Sequence, residues 1–160
     1  MIVSASYRTD IPAFYAEWFN RRLDAGFCDV KSPYSRKFNR VPLDPGSVDG
    51  FVFWTRRLGP FMGTLDRLTE RGTPFVVQFT VTGYPKALEP AVLDWHRAVE
   101  EFQSAASRFG PRTLVWRYDP VFLSDITPRS FHVDQVSRIS EDLAGATDEM
   151  VVSFAHLYRK

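Results

Sequence analysis

The sequence has little cysteine: Cys28 is the only one among its 160 residues. One thiol can form neither an internal disulfide nor a zinc ribbon nor an iron–sulfur cluster, so a reducing, cytoplasmic location is expected. The longest apolar runs, such as residues 51–54, are far shorter than a membrane span. The start of the chain, residues 1–8, has neither the basic flank nor the long apolar stretch of a signal peptide. We therefore expect no contact with a membrane.

Charge of one sign is not in excess either. The chain has 20 Lys and Arg against 19 Asp and Glu, which gives a net charge of +1. Duplex nucleic acid normally requires a clear basic excess, so nucleic acid is not expected as the main partner. One alternative is single-strand or RNA binding by the basic, aromatic segment 31–40, where Tyr34 and Phe38 would stack on bases.

Common catalytic and metal-binding motifs are also missing. The sequence contains no glycine-rich phosphate loop and no serine nucleophile elbow. Its three histidines, His96, His132 and His156, do not have the spacing of metal ligands, so no metal site is expected. We expect His96 and His132 at the surface and Cys28 as a small buried apolar side chain.

The sequence repeats one pattern, in which an apolar run is followed by a helical pattern and a glycine. The apolar runs predict five strands, at residues 2–5, 50–55, 75–81, 113–118 and 150–154. The helical patterns between them end at Gly26, Gly72, Gly110 and Gly145, and the longest is predicted to begin at Pro90. Strands that alternate with helices are typical of βαβ units on a parallel sheet. Residues 29–49, which hold several prolines, predict a long ordered loop or a short extra strand.

These elements predict a single α/β domain over residues 1–160. A closed barrel of βα units needs eight strands, and this sequence supplies about five. The fold is therefore expected to be an open parallel sheet or a partial TIM-like barrel, such as the N-terminal half of a longer one. No helical pattern follows the last strand, so we expect that strand to leave an open edge.

Polar residues collect where the predicted strands end, which is where parallel α/β folds carry their chemistry. Arg8, Arg56 and Arg117 follow or end three different strands, and guanidinium groups suit carboxylate or phosphate. Gln78 and Thr80 give one face of the third strand a polar character, as expected beside a wet cavity. A solvent-exposed sheet face is the alternative explanation for this alternation.

Two carboxylates accompany the arginines. Asp119 lies two residues after Arg117 and shares its face, so it is expected to orient that arginine or to act as a base. A structural ion pair is the alternative. Asp10 precedes Ile11 and Pro12 and is predicted either to bind ligand or to cap the first helix.

Five ordered motifs resemble a bacterial family of unassigned function. They are Ser4–Tyr15, Val52–Thr55, Gln78–Thr82, Val115–Pro120 and Val152–Phe154, and they span nearly the whole chain. Longer members of that family end in a cysteine cluster similar to the iron–sulfur motif of radical S-adenosylmethionine enzymes. The resemblance implies a TIM-like α/β barrel, complete or partial. It also implies an iron–sulfur cluster and S-adenosylmethionine only where a C-terminal part is present, because this chain has a single cysteine.

The sequence thus predicts a barrel-derived domain that binds a small anionic, nucleotide-like ligand at the strand ends. Arg8, Asp10, Arg56, Gln78, Thr80 and Arg117 are the expected ligand-binding residues, and Asp119 is the candidate catalytic residue. The alternative is a protein-interaction module or a subunit of a split assembly that docks through an open sheet edge. We also expect a homodimer, or a partner chain, to cover that edge.

Overall fold

The computed structural model describes residues 1–6, 9–32, 35 and 37–155. Within these residues the strands are β1 (Ile2–Ser4), β2 (Phe27–Lys31), β3 (Phe38–Pro42), β4 (Gly50–Thr55), β5 (Phe75–Thr80), β6 (Leu114–Val121) and β7 (Met150–Phe154). The helices are α1 (Ile11–Phe14), α2 (Ala16–Ala25), α3 (Met62–Glu70), α4 (Trp95–Phe109) and α5 (Arg129–Asp142). The predicted alternation of strands and helices is confirmed.

Five of the strands form one parallel sheet in the order β1-β4-β5-β6-β7. Each strand therefore lies beside the next parallel strand along the chain. Because βαβ connections are right-handed, this unbroken order sends every connecting helix to the same side of the sheet. The result is an open parallel sheet with helices packed on one face. We name the other face, over which no helix of the described residues packs, the uncovered face.

Aromatic side chains fill the space between the sheet and its helices. Alternate strand residues such as Phe53 and Phe79 are completely buried, and their neighbours along the strand are only partly buried. Phe19 of α2 packs edge-on against Phe53, with ring centroids 5.4 Å apart, and Phe102 of α4 stacks on Phe79 at 5.7 Å. This one layer of packing forms the hydrophobic core of the domain.

Residues 29–49 differ from the loop or single strand that their prolines predict. β2 and β3 form an antiparallel hairpin with a regular register from Phe27 opposite Pro42 to Lys31 opposite Phe38. Pro42 ends β3 and Pro45 lies beyond it, so neither of these two prolines interrupts the ladder. Pro33 lies outside the described residues. Cys28 lies in this hairpin, packs against the hydrophobic core and is partly buried, whereas the sequence predicts a buried position.

Helix boundaries follow capping residues. Asp10 caps α1 through a hydrogen bond that it accepts from the backbone N–H of Ala13 at 3.0 Å, as predicted. The longest helix, α4, begins at Trp95 and not at Pro90, because Asp94 accepts a hydrogen bond from His96 N–H and caps it there. None of the helices in the described ranges is both long and apolar enough to cross a bilayer.

Candidate functional site

The uncovered face of the sheet changes character along the strands. Near the amino ends it carries valines, among them Val52, Val76 and Val151. Near the carboxyl ends the same face carries Gln78, Thr80, Arg117, Asp119 and Ser153. None of these polar residues belongs to the hydrophobic core cluster. The polar alternation predicted for the third strand thus lies on the face away from the helices.

Four of these side chains form a continuous chain across three strands. The Arg117 guanidinium pairs with Asp119 and lies 3.4 Å from the Gln78 side-chain oxygen. The second oxygen of Asp119 accepts a hydrogen bond from the Ser153 hydroxyl of β7. The side chains of Arg117 and Asp119 are only 22% and 23% exposed, so the pair is sheltered from bulk water. We name Gln78, Arg117, Asp119 and Ser153 the β6 network.

The ionisation of Asp119 follows from these contacts. Burial by itself would raise the pKa of Asp119, but the hydrogen bonds from Arg117 and Ser153 outweigh it. The positive charges of Arg117 and Arg56 act in the same direction, so the pKa lies below its ordinary value of 3.8. Asp119 is therefore ionised at neutral pH. A carboxylate with a lowered pKa is a weak proton acceptor, and this favours the orienting role over the role of a base.

A second polar group stands at the end of β4. The Arg56 guanidinium pairs with Glu89 and donates to the Thr82 hydroxyl at 3.2 Å. The Thr82 hydroxyl in turn donates to the other Glu89 oxygen at 3.3 Å. The Asp10 carboxylate accepts a hydrogen bond from the backbone N–H of Arg56 at 3.0 Å and so fastens the end of β4 to α1. We name Arg56, Thr82 and Glu89 the β4 network.

The β4 network and Thr80 border a cavity of about 250 Å³. The loop between β5 and α4 forms its wall and contributes Tyr84 and Lys86, and α4 contributes Trp95. This loop turns at Gly83, whose φ of 66° lies in the left-handed region and whose hydrogens face Gln135 so closely that a Cβ would collide with its side chain. Any other residue would be strained at this φ and would have to displace the Gln135 side chain. The turn is what brings Tyr84 and Glu89 back over the sheet.

The fixed charges at this edge are balanced. Each of the two arginines already faces a carboxylate, Arg56 with Glu89 and Arg117 with Asp119. A guanidinium has five N–H donors, so neither carboxylate satisfies its arginine completely. Each guanidinium therefore keeps N–H donors that its carboxylate does not use. No group of three or more metal-binding side chains occurs in the described ranges.

The structure places the predicted site residues in two adjoining groups. Gln78, Arg117 and Asp119 belong to the β6 network, whereas Arg56 and Thr80 border the cavity. The register pairs Thr80 with Arg117 across β5 and β6, so the two groups meet there. Asp10 uses both carboxylate oxygens on backbone N–H groups. Arg8, Tyr34 and His156 lie outside the described residues, so the roles predicted for Arg8 and Tyr34 remain predictions.

Sequence reasoning missed several contributors. Glu89, Ser153 and Tyr84 take part in the two groups or border the cavity, and only Ser153 had a signal in the sequence, its place at the end of a predicted strand. Glu89 and Tyr84 lie in a long connection where no period predicts contacts. The loop that returns over the sheet brings them to the site.

The surface position expected for His132 is wrong. His132 is 7% exposed and lies between a residue of β6 and the residue that follows this strand. Its Nδ1 is 2.9 Å from the Tyr118 hydroxyl, and its Nε2 is 2.9 Å from the Phe122 carbonyl. Burial raises the pKa of Tyr118 well above its ordinary value, so its hydroxyl stays protonated. The hydroxyl then donates a hydrogen bond to Nδ1 of His132. His132 Nε2–H then donates to Phe122. His96, by contrast, is exposed as expected.

Comparison with known proteins identifies the family of this chain. The family model described as "Domain of unknown function (DUF1848)" matches residues 2–160, and the chain belongs to that family. No curated protein and no solved structure gives a significant match. The predicted membership of a domain-of-unknown-function family is thereby confirmed.

Proposed function

We propose that this member of the DUF1848 family binds a small anionic, nucleotide-like ligand at the carboxyl edge of its sheet. One observation carries the proposal. Arg56 and Arg117 present guanidinium groups from β4 and β6, and Thr80 presents a hydroxyl from the strand between them. Guanidinium groups and a hydroxyl on adjacent strands suit phosphate or carboxylate oxygens.

The two carboxylates keep this site ready for an anion. Glu89 holds Arg56, and Asp119 holds Arg117, so neither guanidinium has to be ordered when the ligand arrives. An incoming phosphate takes the place of Glu89 beside Arg56, because Glu89 belongs to the loop and the loop can move away more easily than a strand. Asp119 stays in the sheet as the residue that positions Arg117. Its role as a catalytic group remains a prediction.

The wall of the cavity supports a ligand that also has a ring. Trp95 offers aromatic surface beside the polar groups, and a base or a similar ring packs well on such surface. Tyr84 also borders the cavity but is only 8% exposed, because it stacks on Phe122. The cavity volume of about 250 Å³ is slightly below the usual range for small-molecule sites. It fits a mononucleotide better than a dinucleotide.

We further infer that the domain is a partial TIM-like barrel from a bacterial, cytoplasmic protein. Neighbouring strands in sequence are neighbours in the sheet, as in βα barrels, and polar groups stand at the carboxyl ends of the strands. A relation to radical S-adenosylmethionine enzymes is inferred from the motif resemblance alone. The residues of this chain do not fit the cluster of those enzymes, since the sequence has one cysteine and a cluster needs several thiolates. No step is derived through that cofactor.

Isothermal titration calorimetry with inorganic phosphate, pyrophosphate and AMP tests the proposal. We expect AMP to bind, and we expect Arg117→Ala and Arg56→Ala each to weaken binding about tenfold to a hundredfold, as charged hydrogen bonds are worth about 1.5–3 kcal/mol. Arg112→Ala is the matched control, because Arg112 is exposed on the turn before the opposite end of β6. Absence of binding by all three anions contradicts the proposal, as does an equal loss in the control variant.

A further inference from the structure

The outer edge of β7 presents unpaired backbone groups. In the described part of the chain β7 pairs only with β6. Trp116 N–H donates to the Glu149 carbonyl, and Ala155 N–H donates to the Val121 carbonyl, so the odd-numbered residues of β7 bond toward β6. Because bonding groups alternate along a strand, the even-numbered residues turn their N–H and C=O groups outward. We name these three residues the β7 edge: Met150, Val152 and Phe154.

The side chains of the β7 edge are apolar and exposed. They lie on the helix side of the sheet, since the register places Val152 beside the buried Tyr118. In chain order they are 38%, 47% and 67% exposed. The helix α5 does not cover them, because its buried residues pack elsewhere: His132 bonds to Tyr118 of β6, and Gln135 lies against Gly83. The same three residues thus leave both their backbone groups and their side chains unpartnered.

We propose that the β7 edge pairs in antiparallel with the β7 edge of a second copy of this chain. In an antiparallel ladder, residues that bond toward each other lie directly opposite. When Val152 lies opposite Val152 of the second copy, Met150 lies opposite Phe154, and every member of the β7 edge has a partner. This register is the one that pairs all three residues of each copy.

A two-fold axis perpendicular to the sheet produces this arrangement and closes the assembly at a dimer. Such an axis keeps the helix side of one copy continuous with the helix side of the other. The three apolar side chains of each copy then meet across the strand pair and are removed from water. A parallel pair of β7 strands would need an axis along the strands, which turns one sheet over and sets its uncovered face beside the helix side of the other copy.

Charge favours the antiparallel direction as well. Asp148 and Glu149 immediately precede β7, and both are exposed. A parallel pair would set these acidic residues of the two copies side by side, whereas the antiparallel pair places Glu149 across from Ala155 of the second copy. After Ala155 the sequence leads to the basic residues Arg159 and Lys160, which lie outside the described residues. The antiparallel pair therefore avoids repulsion between like charges.

This inference does not rest on the proposed ligand. The side chains of the β7 edge lie on the face opposite to the β6 network, and Ser153 of that network points to the uncovered face. A variant of the β7 edge that becomes monomeric is therefore expected to keep its affinity for AMP. Loss of AMP binding by the wild type would count against the proposed function alone.

Sedimentation velocity with charge variants at the axis tests the dimer. The wild type is expected to sediment as a dimer at tens of micromolar. Val152→Lys and Val152→Glu are each expected to be monomeric, because residue 152 meets its own counterpart and like charges then face each other. An equimolar mixture of the two variants is expected to restore the dimer, since a lysine of one copy then faces a glutamate of the other. Circular dichroism of each variant checks that the fold is retained.

Val30→Lys is the matched control, because Val30 is also an exposed strand valine but lies on β2. It is expected to remain a dimer. A monomeric wild type, an open polymer, folded Val152 variants that stay dimeric by themselves, or a mixture that stays monomeric would overturn the inference.

Cysteine pairing locates the contact in a Cys28→Ser background, which has no other thiol. Opposed residues of a hydrogen-bonded antiparallel pair have Cα atoms about 5.5 Å apart, which is within the range of a disulfide. Val152→Cys is therefore expected to form a covalent dimer on mild oxidation. Val30→Cys is the control and is expected to remain uncrosslinked. Equal amounts of covalent dimer in the two variants would contradict the proposed contact.

Discussion

The two faces of the five-stranded sheet consist of alternate residues of the same strands, yet they have different chemistry. On the covered face, Phe53, Phe79 and Tyr118 are almost completely buried against helices. On the uncovered face, Gln78 and Arg117 are partly exposed and bonded to other polar side chains. A step of one residue along a strand therefore separates a face that stabilises the fold from a face whose polar side chains remain partly exposed. Because the two faces share their strands, paired substitutions at neighbouring positions can test this separation.

The largest expected effect is on the covered face. Phe53→Ala removes a side chain with no exposed surface that contacts the rings of Phe19 and Phe61. We expect the free energy of unfolding to fall by about 3–5 kcal/mol, as for other buried aromatic deletions. Val52→Ala, at the next position on the uncovered face, is expected to cost about 1 kcal/mol or less. Urea unfolding measures both, and equal losses would contradict the division between the faces.

A smaller effect on stability is expected for the buried hydrogen-bonded pair of Tyr118 and His132. His132→Ala leaves the buried Tyr118 hydroxyl without its hydrogen-bond acceptor, at a cost of about 2 kcal/mol in the free energy of unfolding. The double variant Tyr118→Phe with His132→Ala is expected to recover part of that loss, since no unpaired hydroxyl remains. His96→Ala, at an exposed histidine, is the control and should change stability by less than about 0.5 kcal/mol. A thermal melt in which His96→Ala and His132→Ala agree would refute this account of His132.

A third prediction concerns the pH dependence of the stability that Asp119, on the uncovered face, contributes. The pKa of Asp119 is lowered in the folded protein, so the native state binds this proton less tightly than the unfolded chain does. The stability that Asp119 contributes is therefore complete above its ordinary pKa of 3.8 and is lost as the pH falls through the lower folded value. Asp119→Asn is expected to lower the free energy of unfolding by about 1 kcal/mol at pH 7. Near pH 3 the free energies of unfolding of the variant and the wild type are expected to differ by less. Unfolding curves at both pH values decide this, and a difference that grows in acid would be the wrong sign.

The smallest expected effect concerns the loop carboxylate. Glu89→Gln keeps the shape of the side chain but removes the charge that competes with an anion for Arg56. We expect AMP affinity to rise about threefold, which corresponds to roughly 0.6 kcal/mol. Glu100→Gln is the control, as Glu100 lies exposed on α4 and pairs only with Arg97 among the described side chains. Weaker binding in Glu89→Gln would indicate that Glu89 contacts the ligand directly.

Much of the fold follows from local patterns in the sequence. The strand at Met150–Phe154 is found at its predicted bounds, because an apolar β-branched run between polar residues has no competing period. The end of α2 is predicted from Gly26, because helices commonly end at a residue with a left-handed φ and glycine adopts this conformation readily. Gly26 follows the helix with a φ of 75°. The hairpin of β2 and β3 is not predicted, since its strands alternate poorly and depend on pairing with each other.

The candidate site is predictable in part for the same reason. Gln78, Arg117 and Asp119 alternate with buried residues along their strands, so their shared face follows from the period of two. The connection of Asp119 to Ser153 depends on the order of β6 and β7 in the sheet, which no local pattern encodes. The position of Glu89 depends on the turn at Gly83, and the burial of His132 depends on a helix that packs beside Tyr118. These contacts arise from tertiary packing.

The central claim is that the carboxyl half of the uncovered face binds the anion. A titration of ¹⁵N-labelled protein with AMP, followed by amide chemical shifts, tests it most directly. The account predicts saturable shifts at residues 56, 78–82, 117–119 and 153, with little change at Arg112 or along α3. Shifts that instead cluster on the helix side, or that are absent at millimolar AMP, would contradict it.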